Sequence, residues 1–336
     1  MKIVYTDHHK LHVTENITFG GYPFVIEELP QRVDQILDAL HSNALGQVIQ
    51  PSDHGMAPIL NVHDAGYIEY LQAAYANNAT YNQNDEPAIP ETFAPRSARR
   101  RPKHVLGLKG YYGFGIGSPI NAGTWTAAYW SAQCAITAAE LVQTGERAVY
   151  ALCRPPGHHA ARELYGGFCF LNNAAIAARF LSGKVAILDI DYHHGNGTQE
   201  IFYEDPGTLY CSIHSDTDFE YPYYWGASDE IGSGVGTGYN FNLPLSQGTG
   251  DTLYLETLEK GLQAIRQFQP HFLIVSAGFD ILDGDPAGGF KVTLKGIEMI
   301  GKKIADLALP TVLIQEGGYL VDQLGEAAVN FLKAFA

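Results

Sequence analysis

Residues 187–198 constrain the fold most, because they run from apolar residues straight into a cluster of ionisable ones. The stretch reads ILDIDYHHGNGT and follows Val185 and Ala186. Side chains alternate between the two faces of a strand, so Asp189, Asp191 and His193 point the same way where the apolar run ends. An aspartate that caps a helix beside surface histidines is the alternative, but it does not explain so many ionisable residues in so short a stretch. The run therefore predicts a metal site or a catalytic dyad at the end of a buried strand.

Three further apolar runs end in polar residues in the same way. They cover 147–152, 272–276 and 311–314, and they lead in turn to RPPGHH, to the aspartate of AGFD and to the tyrosine of EGGY. Pro155 and Pro156 cannot continue a central strand, so they stop the first run just before His158 and His159. Because the carboxyl ends of parallel strands share one edge of a sheet, all four polar clusters are expected to meet there.

Helical periodicity between these runs predicts the rest of the architecture. Apolar residues recur at helical spacing at Val33, Ile36, Leu37 and Leu40, and a second such pattern begins at Trp125. Further helices are predicted over 172–181, 251–268, 294–308 and 321–335. This alternation predicts an α/β fold with an open, mainly parallel sheet flanked by helices and an active site at the carboxyl ends of the strands. Residues 1–336 are expected to form a single domain.

The ligands on offer decide which metal suits the predicted site. Asp191, His193 and Asp280 provide two carboxylates and one imidazole, with no thiolate among them. That set favours a catalytic zinc or ferrous ion that keeps an open position for water and lowers the pKa of that water. A calcium loop is disfavoured, because the DxDxHH run lacks the alternating oxygen ligands and the closing glutamate of such a loop.

Five motifs between residues 154 and 319 carry a family resemblance, and the match extends from the opening KIVYTDHHKLH to the last helix. They read RPPGHHA, GGFCFLNNAAIAA, ILDIDYHHGNGTQEIF, SAGFD and EGGY. Together they resemble the zinc-dependent histone deacetylase superfamily, and within it the bacterial branch of acetylpolyamine amidohydrolases. The resemblance implies an arginase-like α/β fold, hydrolysis of an N-acetyl amide, and acetate as one product.

The resemblance also assigns roles, with the two aspartates and the histidine named above holding the zinc ion. His158 and His159 are then the tandem catalytic histidines, and Tyr319 donates its hydroxyl to the oxyanion. The reaction needs a base for the water, an acid for the leaving amine and a donor for the developing oxyanion. We expect His159 to act as both base and acid. Asp189 behind His158 and Asn196 behind His159 are expected to keep the two rings in different protonation states.

A structural potassium or sodium ion is implied by the resemblance as well. One site would be formed by Asp189, Asp191, His193, Ser212 and Ile213. A further monovalent site would use carbonyl groups near Phe202, Asp205, Thr208 and Tyr239. Carbonyl oxygens suit hard, weakly held cations, and residue types alone do not reveal such a site.

Substrate preference depends on the walls of the site. The resemblance places Gly167, Phe168 and Tyr221 along a narrow apolar tunnel for an acylated alkylamine, although both aromatics would also suit the hydrophobic core. Residues 111–119 carry no carboxylate to attract a distant ammonium, and Ala287 stands where a polyamine-selective relative can carry a glutamate. The prediction is an amidohydrolase for N-acetylated polyamines or small diamines, with a protein lysine deacetylase as the alternative. A protein that only binds acylated amines would not need paired bases and an oxyanion donor.

Composition limits the partners and the compartment. A formal net charge of -15 lacks the basic footprint of a nucleic-acid-binding protein but is compatible with a small cationic substrate. No apolar stretch reaches the roughly 18 residues of a membrane span, and residues 1–10 contain no apolar signal segment. The cysteines form no CxxC pair, so reduced thiols and a cytoplasmic protein without a membrane or nucleic-acid partner are expected.

The segment 77–122 interrupts the alternation of strands and helices. It begins polar, becomes proline-rich, carries a basic run at 96–104 and ends rich in glycine and aromatic residues. A solvated insertion loop is the prediction here, with a targeting or RNA-binding patch as the alternative. In the acetylpolyamine amidohydrolase branch an insertion at this place packs against a second subunit, so the resemblance implies a homodimer.

Overall fold

The computed structural model describes residues 1–14, 17–19, 22–95 and 100–336. Its strands are β1 (Lys2–Val4), β2 (Ile17–Phe19), β3 (Tyr22–Phe24), β4 (Gln47–Ile49), β5 (Ala148–Ala151), β6 (Val185–Asp189), β7 (Thr208–Ser215), β8 (Asn240–Leu245), β9 (Phe272–Ala277) and β10 (Thr311–Gln315). Its helices are α1 (Gln31–Ser42), α2 (Ala57–Leu60), α3 (Ala65–Asn82), α4 (Val105–Tyr112), α5 (Thr124–Gln143), α6 (Asn173–Phe180), α7 (Asn196–Phe202), α8 (Asp251–Phe268), α9 (Leu294–Ala305) and α10 (Val321–Leu332).

Across the described ranges, eight of these strands form one sheet in the order β4-β1-β5-β10-β9-β6-β7-β8. Every neighbouring pair in that sheet is parallel, whereas β2 and β3 form a separate antiparallel hairpin. The four strands that the apolar runs predicted are β5, β10, β9 and β6, and they are adjacent at the centre of the sheet. The predicted α/β architecture is therefore confirmed, and the polar residues after these strands share one edge.

Helices cover both faces of the sheet, which explains why the central strands read as unbroken apolar runs. Along β6 the side chains alternate between two hydrophobic cores. Val185 and Ile187 pack into one core, while Ala186 and Leu188 pack into the other, and all four are almost completely buried. The strand is thus held from both faces, and this fixes Asp189 at its carboxyl end.

The predicted helices are present, but α9 and α10 end earlier than their periodicity suggests. They end at Ala305 and Leu332, whereas apolar spacing predicted ends at 308 and 335. Ala308 has a φ of 53°, in the left-handed region, so the chain has already left the right-handed helix at that residue. No helix within the described ranges is both long enough and apolar enough to cross a bilayer.

The segment 77–122 contains ordered structure. Its first residues complete α3, and α4 forms a short helix later in the segment. The ammonium of Lys109 on α4 is buried, with Nζ 2.8 Å from Glu91 Oε1 and 3.1 Å from Asn78 Oδ1. These contacts tie α4 to α3. Residues 96–99 of the basic run lie outside the described residues, and the role of the segment as an insertion stays a prediction.

Candidate active site

A cavity of about 340 Å³ opens where the predicted polar clusters meet. Its lining residues are Val25, Ile26, Glu27, Gly115, Ile116, Gly117, His159, Gly167, Phe168, His193, Tyr221, Ala287 and Tyr319. We call its buried polar end the floor, which comprises the lining residues His159, His193 and Tyr319 together with His158, Asp191 and Asp280, which lie directly behind them. We call its outer end the rim, which comprises Val25, Ile26, Glu27, Gly115, Ile116, Gly117 and Ala287. Val25 is 77% exposed and His159 only 3%, so the cavity leads from solvent to deeply buried groups.

The floor contains one group of side chains that is able to hold a metal ion. One ligand atom each from Asp191, His193 and Asp280 lies within 4.8 Å of the others. His193 Nδ1 is 3.3 Å from Asp191 Oδ1 and 3.1 Å from Asp280 Oδ2. The three residues come from the loops after β6 and β9, which are neighbouring strands. The sheet therefore brings together the three residues that the sequence predicted as ligands.

Backbone donors orient both carboxylates of this group. The N–H of Gly317 donates to Asp191 Oδ2 and the N–H of Tyr192 donates to Asp280 Oδ1, each over 2.8 Å. In each carboxylate the other oxygen faces the His193 ring, and that of Asp191 also accepts the N–H of His193 over 2.9 Å. Two buried carboxylates and one imidazole directed at a common point suit a divalent ion, and in particular zinc.

The charges in this group depend on one another. Burial and the negative charge of Asp191 raise the pKa of Asp280 to about 7. Burial alone would lower the pKa of His193, but its contacts with both carboxylates raise that pKa to about 10. The carboxylates therefore repel each other and attract a positive charge, which is the condition for binding a cation at this place.

The tandem histidines have different partners. The Nδ1 atom of His158 lies 3.2 Å from Asp189 Oδ2, and the Nδ1 atom of His159 lies 2.8 Å from Asn196 Oδ1. Burial would lower the pKa of His158, but the carboxylates of Asp191 and Asp189 raise it to about 10. Burial, together with the positive charges of His158 and His193, holds the pKa of His159 well below its usual range. The surroundings of His158 thus favour its charged form and those of His159 its neutral form, although the two ring centroids are only 4.0 Å apart.

The side chain of Glu316 positions the main chain that carries the tandem histidines. Its Oε2 atom accepts the N–H groups of Gly157 and His158 over 2.6 and 3.2 Å. Its Oε1 atom accepts the hydroxyl of Ser276 over 3.3 Å. The glutamate is part of the EGGY motif, in which only the tyrosine was predicted to have a role. The loops after β5 and β10 are therefore linked through one buried carboxylate.

Tyr319 reaches the floor from the loop after β10. Burial raises the pKa of its hydroxyl well above its usual range, so this group stays protonated and able to donate. Asp285 Oδ2 accepts the backbone N–H groups of Tyr319 and Leu320 over 2.6 and 2.9 Å. The guanidinium of Arg32 lies 4.7 Å from the centroid of the Tyr319 ring. Both contacts restrict the position of the ring.

Arg32 belongs to a buried ionic network that sequence analysis missed. Its guanidinium donates to the carbonyls of Gly318 and Glu316, each over 2.6 Å, and to Glu28 Oε1 over 2.8 Å. Arg154 donates to the same Glu28 oxygen over 2.9 Å. Arg32 is 1% exposed although it lies on α1, where helical periodicity predicts only that charged residues face solvent. No local signal in the sequence distinguishes it from a surface arginine.

The predicted tunnel residues lie between floor and rim. Gly167, Phe168 and Tyr221 all line the cavity. The Tyr221 ring is 5.0 Å from the His159 ring, and the Phe168 ring is 5.7 Å from the Tyr319 ring. Gly167 has a φ of 54°, and a Cβ atom at this residue would lie only 2.3 Å from the His159 ring. Glycine is therefore required for the aromatic walls to approach the tandem histidines so closely.

The residues predicted to hold monovalent cations lie in two groups, one beside the floor and one at the amino ends of β7 and β8. In the first, Asp189 and Ser212 are paired on neighbouring strands and both are fully buried. The others of that group, Asp191, His193 and Ile213, follow them in the chain. In the second group, the N–H of Asp205 donates to the Phe202 carbonyl over 3.0 Å and the hydroxyl of Thr208 donates to Asp205 Oδ2 over 3.1 Å. Tyr239 directly precedes β8, and its carbonyl accepts the N–H of Tyr210 on β7 over 2.9 Å.

Comparison with known proteins gives these sites a context. The family model described as "Histone deacetylase domain" matches residues 26–335. The chain is 44% identical to acetylpolyamine amidohydrolase 1 of Pseudomonas aeruginosa, covering 100% of this chain and 99% of the relative. It is 37% identical to acetylpolyamine amidohydrolase of Mycoplana ramosa, with 100% of both chains covered.

Solved structures agree with the sequence comparison. The crystal structure of acetylpolyamine aminohydrolase from Burkholderia pseudomallei superposes with a TM-score of 0.94, at 39% identity, covering 100% of this chain and 98% of that one. The HD domain of HDA15 superposes with a TM-score of 0.83 at 28% identity, covering 99% of this chain and 87% of that one. The chain therefore belongs to the histone deacetylase superfamily, alongside its bacterial acetylpolyamine amidohydrolases.

Proposed function

We propose that this protein is a metal-dependent amidohydrolase that removes acetyl groups from N-acetylated polyamines or small diamines and releases acetate. The observation that carries the proposal is the meeting of a metal-binding group, paired histidines and a tyrosine hydroxyl at the end of one apolar cavity. Full-length similarity to proteins named acetylpolyamine amidohydrolase supports this substrate class.

Asp191, His193 and Asp280 would hold the ion, and zinc suits this set of ligands best, with ferrous iron as the second choice. When bound, the ion supplies Lewis acidity to the amide carbonyl and lowers the pKa of a water molecule. The backbone N–H groups of Gly317 and Tyr192 keep the two carboxylates turned toward the common point. They thereby reduce the rearrangement that metal binding requires.

His159 is the proposed base that takes the proton of the attacking water. Its Nδ1–H donates to the amide oxygen of Asn196, which leaves Nε2 with a free lone pair. Asn196 carries no charge, whereas Asp189 stabilises a positive charge on His158. His159 is therefore the ring able to accept a proton and then give it to the leaving amine. His158 stays charged beside it and contributes positive potential for the developing oxyanion.

Tyr319 is the proposed donor to that oxyanion. Its high pKa keeps the proton on the phenol, and Arg32 and Asp285 hold the ring and its main chain in place. A donor that is fixed before the reaction costs no reorganisation when charge develops on the carbonyl oxygen. The aromatic walls formed by Phe168 and Tyr221 would align the alkyl chain of the substrate and exclude water from the floor.

We also propose a potassium or sodium ion at each of these two groups of residues. In the first group, Asp189 already accepts hydrogen bonds from Tyr210 and from the backbone of Asp191, over 3.0 and 3.2 Å. A cation here would neutralise a carboxylate that is fully buried and that also orients His158. Such an ion would stabilise the loop after β6 without taking part in the reaction.

The compartment and the oligomeric state complete the proposal. All four cysteines are free and buried, which suits the reducing cytoplasm.

The segment 77–122 exposes Tyr81 and Phe93, at 49% and 45%, and such side chains suit contact with a second subunit in a homodimer. Light scattering at micromolar concentration tests this, and a monomer under those conditions would contradict the dimer.

The test of the proposed function is acetate release by the zinc-loaded protein. Acetylputrescine, acetylspermidine and an acetyllysine peptide are supplied at equal concentration, with Tyr319→Phe as the control. We expect turnover of the two small amines and a large loss of that turnover in the variant. Preference for the peptide would instead make the protein a lysine deacetylase, and no release from any of the three substrates would reject the proposal.

A further inference from the structure

Glu27 places a carboxylate at the rim of the cavity. It lies in the stretch between β3 and α1 and lines the same cavity as His159, His193 and Tyr319. Its neighbours in the chain differ strongly in exposure, because Ile26 is 4% exposed and Val25 is 77% exposed. Glu27 itself is half-buried. Glu27 therefore lies where the lining of the cavity passes from an exposed residue to a buried one.

The charge of Glu27 is isolated within the cavity. Among the described lining residues it is the only aspartate, glutamate, lysine or arginine, since the other lining residues are glycines, apolar or aromatic residues and two histidines. The structure also gives the Glu27 carboxylate no hydrogen bond or ion pair with another described side chain. A carboxylate that pairs with no described side chain keeps its negative charge available, so a cation from outside the chain can form a charge-assisted hydrogen bond with it.

We propose that Glu27 determines substrate specificity by binding the distal ammonium group of an acetylated diamine or polyamine. The inference rests on the proposed function and names the side chain that selects the substrate class. With the acetyl group at the floor, the methylenes of the substrate pass Phe168 and Tyr221, which offer apolar surface and no competing charge. The ammonium at the far end of the chain then lies toward the rim, where Glu27 supplies the only negative charge among the described lining residues.

The same geometry distinguishes small amines from acetyllysine in a protein. The far end of an acetyllysine side chain is the peptide main chain, whose amide groups carry no charge. A carboxylate at the rim gains nothing from such a neutral group and loses hydration when the peptide covers it. Glu27 therefore favours the free cationic amine over the peptide, although residues 111–119 carry no carboxylate and residue 287 is alanine.

A general electrostatic effect is the competing explanation, because the chain carries a formal net charge of -15 and an acidic surface attracts any cation. The two explanations differ in their dependence on position. Removal of one surface carboxylate changes the overall field as much as removal of Glu27 does. Only a direct contact makes the substitution of Glu27 weaken substrate binding more than the substitution of another glutamate. Glu256 on α8 provides this comparison, because it is exposed and does not line the cavity.

The experiment compares Glu27→Gln with Glu256→Gln on two matched substrates. Acetylputrescine carries the distal ammonium, and N-butylacetamide has nearly the same length without it. In Glu27→Gln we expect the KM for acetylputrescine to rise by about tenfold, as for loss of a partly exposed charged hydrogen bond, with little change in kcat. The KM for N-butylacetamide should stay within about twofold, and Glu256→Gln should leave both KM values unchanged. An equal rise for both substrates, or the same rise in Glu256→Gln, would overturn the proposal.

Binding without turnover separates this inference from the proposed function. The same two compounds are titrated by calorimetry into Tyr319→Phe and into Tyr319→Phe combined with Glu27→Gln. Preferential binding of acetylputrescine that disappears with Glu27 supports the specificity role even if the wild-type protein releases no acetate. Equal binding in the two variants rejects the specificity role even if the wild-type protein is an active acetylpolyamine amidohydrolase.

Discussion

The floor and the rim of the cavity are built in different ways. The floor side chains follow adjacent parallel strands, and its metal-binding carboxylates are each held by a backbone N–H group. The rim comes from three separate stretches of chain, at residues 25–27, 115–117 and 287. Its Val25 is largely exposed, whereas Asp280 in the floor is completely buried.

This difference assigns chemistry to one region and selectivity to the other. A floor fixed by strand ends and buried hydrogen bonds holds reacting groups in one arrangement, which catalysis requires. Loops on a rigid scaffold change with little effect on stability, so residues such as Glu27 and Ala287 can alter the substrate without altering the reaction. Substitutions in the two regions should therefore have effects of different size and different kind.

The largest expected effect follows from removing one carboxylate of the floor. We expect Asp280→Asn to lose bound metal and to lower kcat by about a thousandfold or more, because the ion's contribution to the barrier is several kcal/mol. The substitution should leave the fold intact, since the amide oxygen can still accept the N–H of Tyr192. Metal content by mass spectrometry and acetate release measure the two effects.

Asp283→Asn is the matched control for that variant. Asp283 lies three residues further along the same loop and is exposed. The same chemical change there should leave metal content and kcat as in the wild-type protein. An Asp280→Asn protein that keeps its full metal content and its activity would contradict the assignment of the metal to the floor.

A smaller effect concerns the support of the floor by His63. The Nε2 atom of His63 accepts the backbone N–H of Asn172 over 2.9 Å, and the Asn172 amide donates to the carbonyl of Ala160, which follows His159. Burial lowers the pKa of His63 to about 4, so the folded state favours its neutral form. The unfolded chain takes up this proton near pH 6.5. Stability is therefore complete above that pH and decreases as the pH falls toward 4, by up to about 3 kcal/mol.

Urea unfolding between pH 7 and 4 tests this dependence. In His63→Gln the decrease in the free energy of unfolding across this range should be smaller than in the wild-type protein by that amount. The exposed His41 on α1 provides the control, since His41→Gln should reproduce the wild-type pH dependence. Identical pH dependence in His63→Gln and the wild-type protein would contradict the proposed role of His63 in stabilising the floor.

The smallest effect is expected from adding a charge to the rim. Ala287 lines the cavity and is half-buried, so Ala287→Glu would place a second carboxylate near the opening. We expect kcat/KM for acetylputrescine to rise by about threefold relative to N-butylacetamide, since a partly exposed ion pair contributes little. A fall in kcat for both substrates would show that a substitution in this part of the rim also affects catalysis at the floor.

The floor could be predicted from sequence because each of its elements is local. An apolar run indicates a buried strand, and Asp191 and His193 follow that run within a few residues. The parallel topology then brings His159, Asp280 and Tyr319 to the same edge from separate runs. The prediction needed no distance between residues far apart in sequence. It needed only the rule that ligands bind at the carboxyl ends of parallel strands.

The rim and the buried ionic network could not be predicted in this way. Glu27 lies in a stretch without periodicity, and only the folded chain shows that it lines the cavity. Arg32 occupies a helix position that sequence rules assign to solvent, and it is buried because Glu28 and two distant carbonyls surround it. Both residues depend on contacts between segments far apart in sequence, which local patterns do not encode.

The division between floor and rim is tested most directly by substrate discrimination in Tyr319→Phe. The measurement is kcat/KM for acetylputrescine and for N-butylacetamide in this variant and in the wild-type protein. We predict that both values fall by about a hundredfold to a thousandfold, as for loss of an oxyanion donor, and that their ratio stays the same. A ratio that changes along with the rate would contradict the division, because selectivity would then depend on the residues that carry out the reaction.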